Sequence, residues 1–200
     1  MGKRPADDAR PHPGDEIRRR LGQALSEQFP VRVSSHHCDD ESHGFVVALG
    51  KRWAAIALLD EGRRHDGWDL VRLRDVSRVR RSRREKVAER ILRARGTWPL
   101  LAPVGLDLDR ASRLLGTLAA RGDLVSIHCE RERPDALWVG VPLAAEGRDV
   151  VVHELNTVGE WDNDPSYFTA RDITRITVGD AYMEGLALVA PPRPPLTEHG

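Results

Sequence analysis

Apolar residues recur along the chain at two spacings, and the switch between them marks its elements. Ile17, Leu21, Ala24 and Leu25 share one face at about 3.6 residues per turn, which predicts a helix capped by Asp15 and ended by Pro30. From Val31 the period drops to two, with Val31 and Val33 against Arg32 and Ser34, a short half-buried strand. The polar stretch Ser35 to His43 reads as a loop. GFVVAL (44–49) and WAAIALL (53–59) read as strands on either side of the turn Gly50-Lys51, and the glycine-bounded charged tip at 61–67 leads as a hairpin into GWDLVRLRDVSRV, 67–79. In that last stretch Trp68, Leu70 and Arg72 share one face and Val71 and Leu73 the other. The period of three from Leu73 to Val76 to Val79 then predicts a tight helical turn, with Asp75 as its cap, before a final strand.

Val87, Ala88, Ile91 and Leu92 form a narrow stripe on a basic helix over 83–95 that Gly96 closes. TWPLLAPVG (97–105) holds two prolines and four large apolar residues, which predicts a packed connector. Asp107 then caps a helix bearing Leu108, Ala111, Leu114, Leu115 and Leu118 on one face, ended by Gly122. DVVVHEL (149–155) is strand-like, and Asp180 caps a short segment in which Tyr182 and Leu186 stand four apart. Residues 1–13 are proline-bearing and charged with no large apolar side chain after Met1, so a disordered lead is expected; 191–200 forms a proline-rich tail.

The pattern of 67–79 returns later in the chain. Val71, Leu73, Val76 and Val79 correspond to Phe168, Ala170, Ile173 and Ile176, and Arg74, Asp75 and Arg78 to Arg171, Asp172 and Arg175, each pair 97 positions apart. Leu21 and Leu25 match Leu114 and Leu118, and Trp68 matches Trp161, at 93. Asn163, Asp164, Pro165 and Ser166 have the turn chemistry to supply the four extra residues. Two units are therefore predicted, 14–98 and 99–190. The order helix, about four short strands, tight turn, last strand resembles the Sm-like small barrel within the wider group of SH3-like barrels, over 15–81 and 108–178. The expected fold class is α+β, with two tandem small antiparallel β-barrels, each preceded by a helix. The resemblance implies RNA binding or assembly through strand edges. The Arg-Gly pair that Sm-like proteins carry near the last loop reads Arg74-Asp75 and Arg171-Asp172 here, and an aspartate there would repel an RNA oxygen.

Composition narrows the classes. No apolar run approaches the roughly 18 to 20 residues that span a bilayer, and the N-terminal stretch lacks the apolar segment of a signal peptide, so no membrane association and a cytoplasmic location are expected. Cys38 and Cys129 are too few for a disulfide framework. Net charge is zero but unevenly spread: 78–95 carries nine Arg and Lys against Glu85 and Glu89, whereas 96–200 carries nine basic against sixteen acidic residues.

Arg80, Arg81, Arg83, Arg84, Lys86, Arg90 and Arg93 are accordingly the candidates for phosphate contacts to RNA or DNA, although no aromatic residue interleaves with them for base stacking. The alternative is a solvated helix docked on an acidic surface. Arg74, Asp75, Arg78, Arg171, Asp172 and Arg175 read as structural turn residues, in which Asp caps and Arg pairs with it. His37, Cys38, His128 and Cys129 are the candidate metal ligands, zinc suiting their chemistry, but their spacing follows no established zinc pattern. Phosphate-loop, dinucleotide and His-Glu-x-x-His signatures are missing from the sequence. The expected function is that of a non-catalytic interaction or scaffold protein without a cofactor, with a protein partner or self-association. The alternatives are an RNA- or DNA-binding protein using 78–95 and a metal-dependent enzyme or zinc-binding protein.

Overall fold

Ten strands join into one open antiparallel sheet, in the order β5-β1-β2-β3-β4-β10-β6-β7-β8-β9. The computed structural model describes residues 12–82, 86–146 and 148–195. Along the chain these form α1 (Pro13–Glu27), β1 (Pro30–Ser35), β2 (Glu41–Leu49), β3 (Trp53–Leu59), β4 (His65–Arg72), a 3-10 turn (Leu73–Asp75), β5 (Val76–Arg81) and α2 (Lys86–Ala94). There follow α3 (Ala111–Arg121), β6 (Val125–His128), β7 (Trp138–Glu146), β8 (Asp149–Glu154), β9 (Ser166–Thr169), β10 (Arg175–Val178) and α4 (Ala181–Val189).

The sheet does not close into two barrels of the Sm-like or SH3-like kind, which corrects the expected fold class. The cause lies in edge pairing. β10 pairs with β4 on one side (Ile176 opposite Leu70) and with β6 on the other (Ile176 opposite Ile127), so the free edge of β4 is taken by a strand from the far end of the chain. β5 pairs with β1 and stays at the outer edge, and β9 pairs with β8 at the other. Neither five-strand group meets itself.

β3 shows why its apolar run is unbroken. Trp53 and Ala55 point into one core with Leu70, Leu114, Ile127 and Ile176, while Ala54 and Ile56 point into another with Leu21, Val31 and Val71. A strand buried on both faces has no polar alternation to show. The first of these cores crosses the β4–β10 junction and is covered by α3 through Leu114, Leu115 and Leu118; the second lies under α1, where Leu21 and Ala24 are fully buried. α1 starts on His12, whose Nδ1 accepts from Gly14 N at 3.2 Å, in place of the expected Asp15 cap. α3 starts four residues after Asp107, whose carboxylate accepts the amides of Asp109 and Arg110 in the lead-in. The connector is half packed: Trp98 stacks edge-on against Phe45 at 5.0 Å, whereas Leu101 and Val104 are exposed. The expected disordered lead falls, apart from its last two residues, outside the described residues. So does the second half of the tail.

Gly67 sets the spacing of β4 against β10. Its φ is +74°, and a Cβ there would lie 2.4 Å from the Val178 carbonyl oxygen. Gly67→Ala is therefore expected to cost about 2 kcal/mol, from left-handed backbone strain and the backbone clash together. Chemical unfolding would show it, and an unchanged midpoint would contradict the assigned close approach.

Candidate functional site

Arg72 ends β4 on the face that carries Trp68 and Leu70, and that placement buries a guanidinium. Its Cζ lies 4.9 Å from the Trp53 ring centroid, and its two terminal nitrogens donate to the carbonyls of Ala170 and Arg171 across the β4–β10 junction. Arg74 Nη2 and Arg131 Nη1 donate to the same Arg171 carbonyl, at 2.7 and 3.1 Å. Burial, and after it the neighbouring charge of Arg74, bring the Arg72 pKa down to about 10. Arg131 and Arg52 push the same way, against Asp75. Positive charge is thus concentrated at this corner beyond what local carboxylates neutralise.

Above Arg72 opens a cleft of about 800 Å³. One wall is the β2–β3 turn, with Lys51 and Arg52, steadied by Arg18 of α1, whose Nη1 donates to the Gly50 carbonyl at 2.9 Å. The start of α3, Arg110 to Ser112, Arg148 from the β7–β8 turn, and Arg74 and Arg171 also line the cleft. Eight cationic side chains and no Asp or Glu therefore line it among the described residues. Lys51 reaches Asp109 only at 3.8 Å, and Arg171 reaches Asp172 at 3.5 Å. Among the described residues Arg52, Arg110 and Arg148 have no carboxylate within ion-pair distance. No side chain caps the first turn of α3, so the positive end of its dipole adds to the same lining.

Beneath the cleft the junction is held by buried polar pairs. Asp75 does not cap its turn: its carboxylate receives Arg131 Nη2 at 2.7 and 2.8 Å and Arg131 Nε at 3.0 Å, and lies 3.2 Å from His37 Nε2. Arg74, the expected partner, stands at 3.8 Å. Asp69 accepts from Ser42 and Thr177 Oγ1, the latter at 2.7 Å, and Glu130 accepts from Ser35 Oγ at 2.7 Å. Arg175 sits between them, 3.6 Å from Asp69 and 3.0 Å from Glu130, the latter contact out of line for a hydrogen bond. Of the remaining expected turn residues, Arg78 is exposed on β5 and lines the neighbouring hollow with His12 and Arg20.

The candidate metal ligands are scattered into separate contacts. His37 faces Asp75, Cys38 Sγ lies 3.8 Å from the Asp40 carbonyl, His128 packs against Arg175 and Thr177, and Cys129 is buried with its thiol pKa pushed up to about 11, chiefly by burial. Among the described residues no group of three or more His, Cys, Asp or Glu side chains is arranged around a common centre for a metal ion.

The basic segment spends much of its charge locally. Arg80 pairs with Glu41 at 2.8 Å, and hydrogen bonds from Ser34 and then Arg80 bring the Glu41 carboxyl down to about 2. Arg81 lies over Phe29 at 4.3 Å, and Arg93 pairs with Glu89 at 2.8 Å while lying over Trp98 at 5.3 Å. Arg90 is exposed. Lys86 opens α2, and Arg83 and Arg84 lie outside the described residues. α2 docks through Ala88 and Leu92 on Phe45 of β2, not on an acidic surface of the second half.

Comparison with family models, curated proteins and solved structures finds no match. Among the described residues no helix is long and apolar enough to cross a membrane.

Proposed function

We propose that this chain is a non-catalytic binding protein that holds an anionic ligand in the cleft above Arg72. The observation that carries the reading is the lining itself: eight cations drawn from both ends of the chain, without an acidic residue among those described. A cavity of this size suits a bound molecule, and guanidinium groups recognise anions with planar, directed donors. Among the described residues the lining offers no carboxylate, imidazole or thiol to move a proton or attack a substrate, and its chemistry is charge recognition. On this reading the anion is held at the β4–β10 junction and not on the segment 78–95, whose arginines are partly engaged by Glu41 and Glu89. A scaffold role follows if the anion belongs to a partner.

The test is thermal unfolding with pyrophosphate at constant ionic strength. A ligand that binds only the folded state at a hundred times its Kd adds about 2.7 kcal/mol. The wild type is expected to gain such a shift, and the double variant Arg52→Glu/Arg110→Glu to lose it. Both side chains are exposed, so reversing them leaves the core intact. An equal shift in the two proteins would remove the cleft from consideration.

A further inference from the structure

The cleft's lining also restricts what kind of anion fits it, and here the inference rests on the reading just given. We propose that the ligand is a compact anion carrying several phosphate groups and no aromatic base, such as a phosphorylated polyol or a short inorganic polyphosphate chain.

Three features of the cavity lead there. Its positive groups outnumber what one phosphate or carboxylate neutralises: Arg52, Arg110 and Arg148 are without an ion pair among the described residues, and Arg72 lies below them with only carbonyls as acceptors. An occupant with a single charge would leave most of that repulsion in place, whereas several phosphates, each with about one to two charges at neutral pH, would offset it.

The cations also converge instead of forming a track. They come from α1, the β2–β3 turn, the end of β4, the start of α3, the β7–β8 turn and the segment after β9, and they surround a volume of about 800 Å³. That is the size of a small-molecule site. A duplex is convex and rigid, and its phosphates would stop at the rim, away from the buried Arg72.

Finally, the lining provides no surface for a base. No Phe, Tyr, Trp or His is among the described lining residues, and its apolar members are Leu73, Ala111 and Ala170. Stacking on aromatic rings is what holds nucleotides and single strands, at about 1 to 3 kcal/mol per base. Trp53, over whose ring Arg72 lies, is fully buried.

Isothermal titration of the full chain at fixed ionic strength tests the proposal, with myo-inositol hexakisphosphate, inorganic tripolyphosphate, citrate and a single-stranded oligonucleotide of matching charge as separate probes. At least one of the two compact phosphates is expected to bind at one-to-one stoichiometry, about tenfold or more tighter than the oligonucleotide and citrate. That affinity should fall about a hundredfold in Arg52→Glu/Arg110→Glu and hold in Arg90→Glu, whose side chain is exposed on α2. Which of the two compact probes binds tighter separates a polyol source from a chain. Equal or tighter binding of the oligonucleotide or citrate, lost in the same double variant, would overturn this ligand class while leaving anion binding at the cleft in place. Binding of no probe would remove both.

Discussion

Asp75→Ala is expected to destabilise the fold by about 3 to 5 kcal/mol, read as a lower urea midpoint at an unchanged slope. Asp75 is 6% exposed at its side chain and receives three contacts from Arg131, itself 28% exposed. Removing the carboxylate strands Arg131 beside Arg72 and Arg74, whose donors already converge on the Ala170 and Arg171 carbonyls. The cost is larger than that of a lost hydrogen bond because like charges remain in a site of low dielectric. Arg131→Ala is expected to cost less, since Asp75 keeps His37 at 3.2 Å. A double-mutant cycle measures the coupling directly. A loss below about 1 kcal/mol for Asp75→Ala would show that the junction does not depend on this pair.

The second large effect depends on pH. His128, the last residue of β6, is buried beside β10, with Arg175 Nη2 3.4 Å from its Nδ1 and Thr177 Oγ1 3.4 Å from its Nε2. Burial first, then Arg175, bring its pKa from 6.5 down to about 3. The nearby carboxylates do not rescue the charged ring: Asp69 is committed to Ser42, Thr177 and Arg175, and Glu130 to Ser35 and Arg175. The unfolded chain therefore takes up this proton before the folded one. Its contribution is full above the unfolded value of 6.5 and is lost as pH falls toward the folded value of about 3. Between about pH 6.5 and pH 5 the loss from this residue alone approaches 2 kcal/mol. That window lies above the one, from 4.5 toward about 2, in which Glu41 loses its contribution as pH falls. His128→Gln is expected to flatten the stability profile in the upper window and leave the lower one steep. An unchanged slope there would refute the assignment.

Much of the local structure was legible because it is written in neighbouring residues. The two, three, three spacing from Val71 to Val79 predicted the turn that forms at Leu73–Asp75, and the bounded apolar run 53–59 predicted β3. The joining of the strands was not legible. Whether β4 turns back on its own unit or accepts β10 is decided by an edge pairing between residues about a hundred positions apart, and no local period encodes it. The same distance hid the role of Asp75, whose partner Arg131 lies 56 residues away in sequence, and the nearby Arg74 looked sufficient. The cleft was hidden for a further reason. Each of its arginines sits in a segment where a single arginine is an ordinary solvated residue, and only folding brings them together. One signal was present: Arg72 continues the apolar face of Trp68 and Leu70, and a cation in line with two core residues marks a place where charge is buried.

Among the described residues β10 follows the nine other strands, yet it stands near the middle of the sheet. Its contacts with β4 close loops of about a hundred residues, as between Asp69 and Thr177, so this pairing carries a large closure entropy and belongs to the slow part of folding. During synthesis the first five strands wait with the edge of β4 unpaired until Arg175–Val178 has emerged, an interval in which that edge is open to another nascent chain. Ala170 and Arg171, which accept from Arg72, arrive in the same late stretch. A pulse-labelling experiment should find the β4 amides protected later than those of β2 and β3, and the proposed anion recognition could follow only after that pairing.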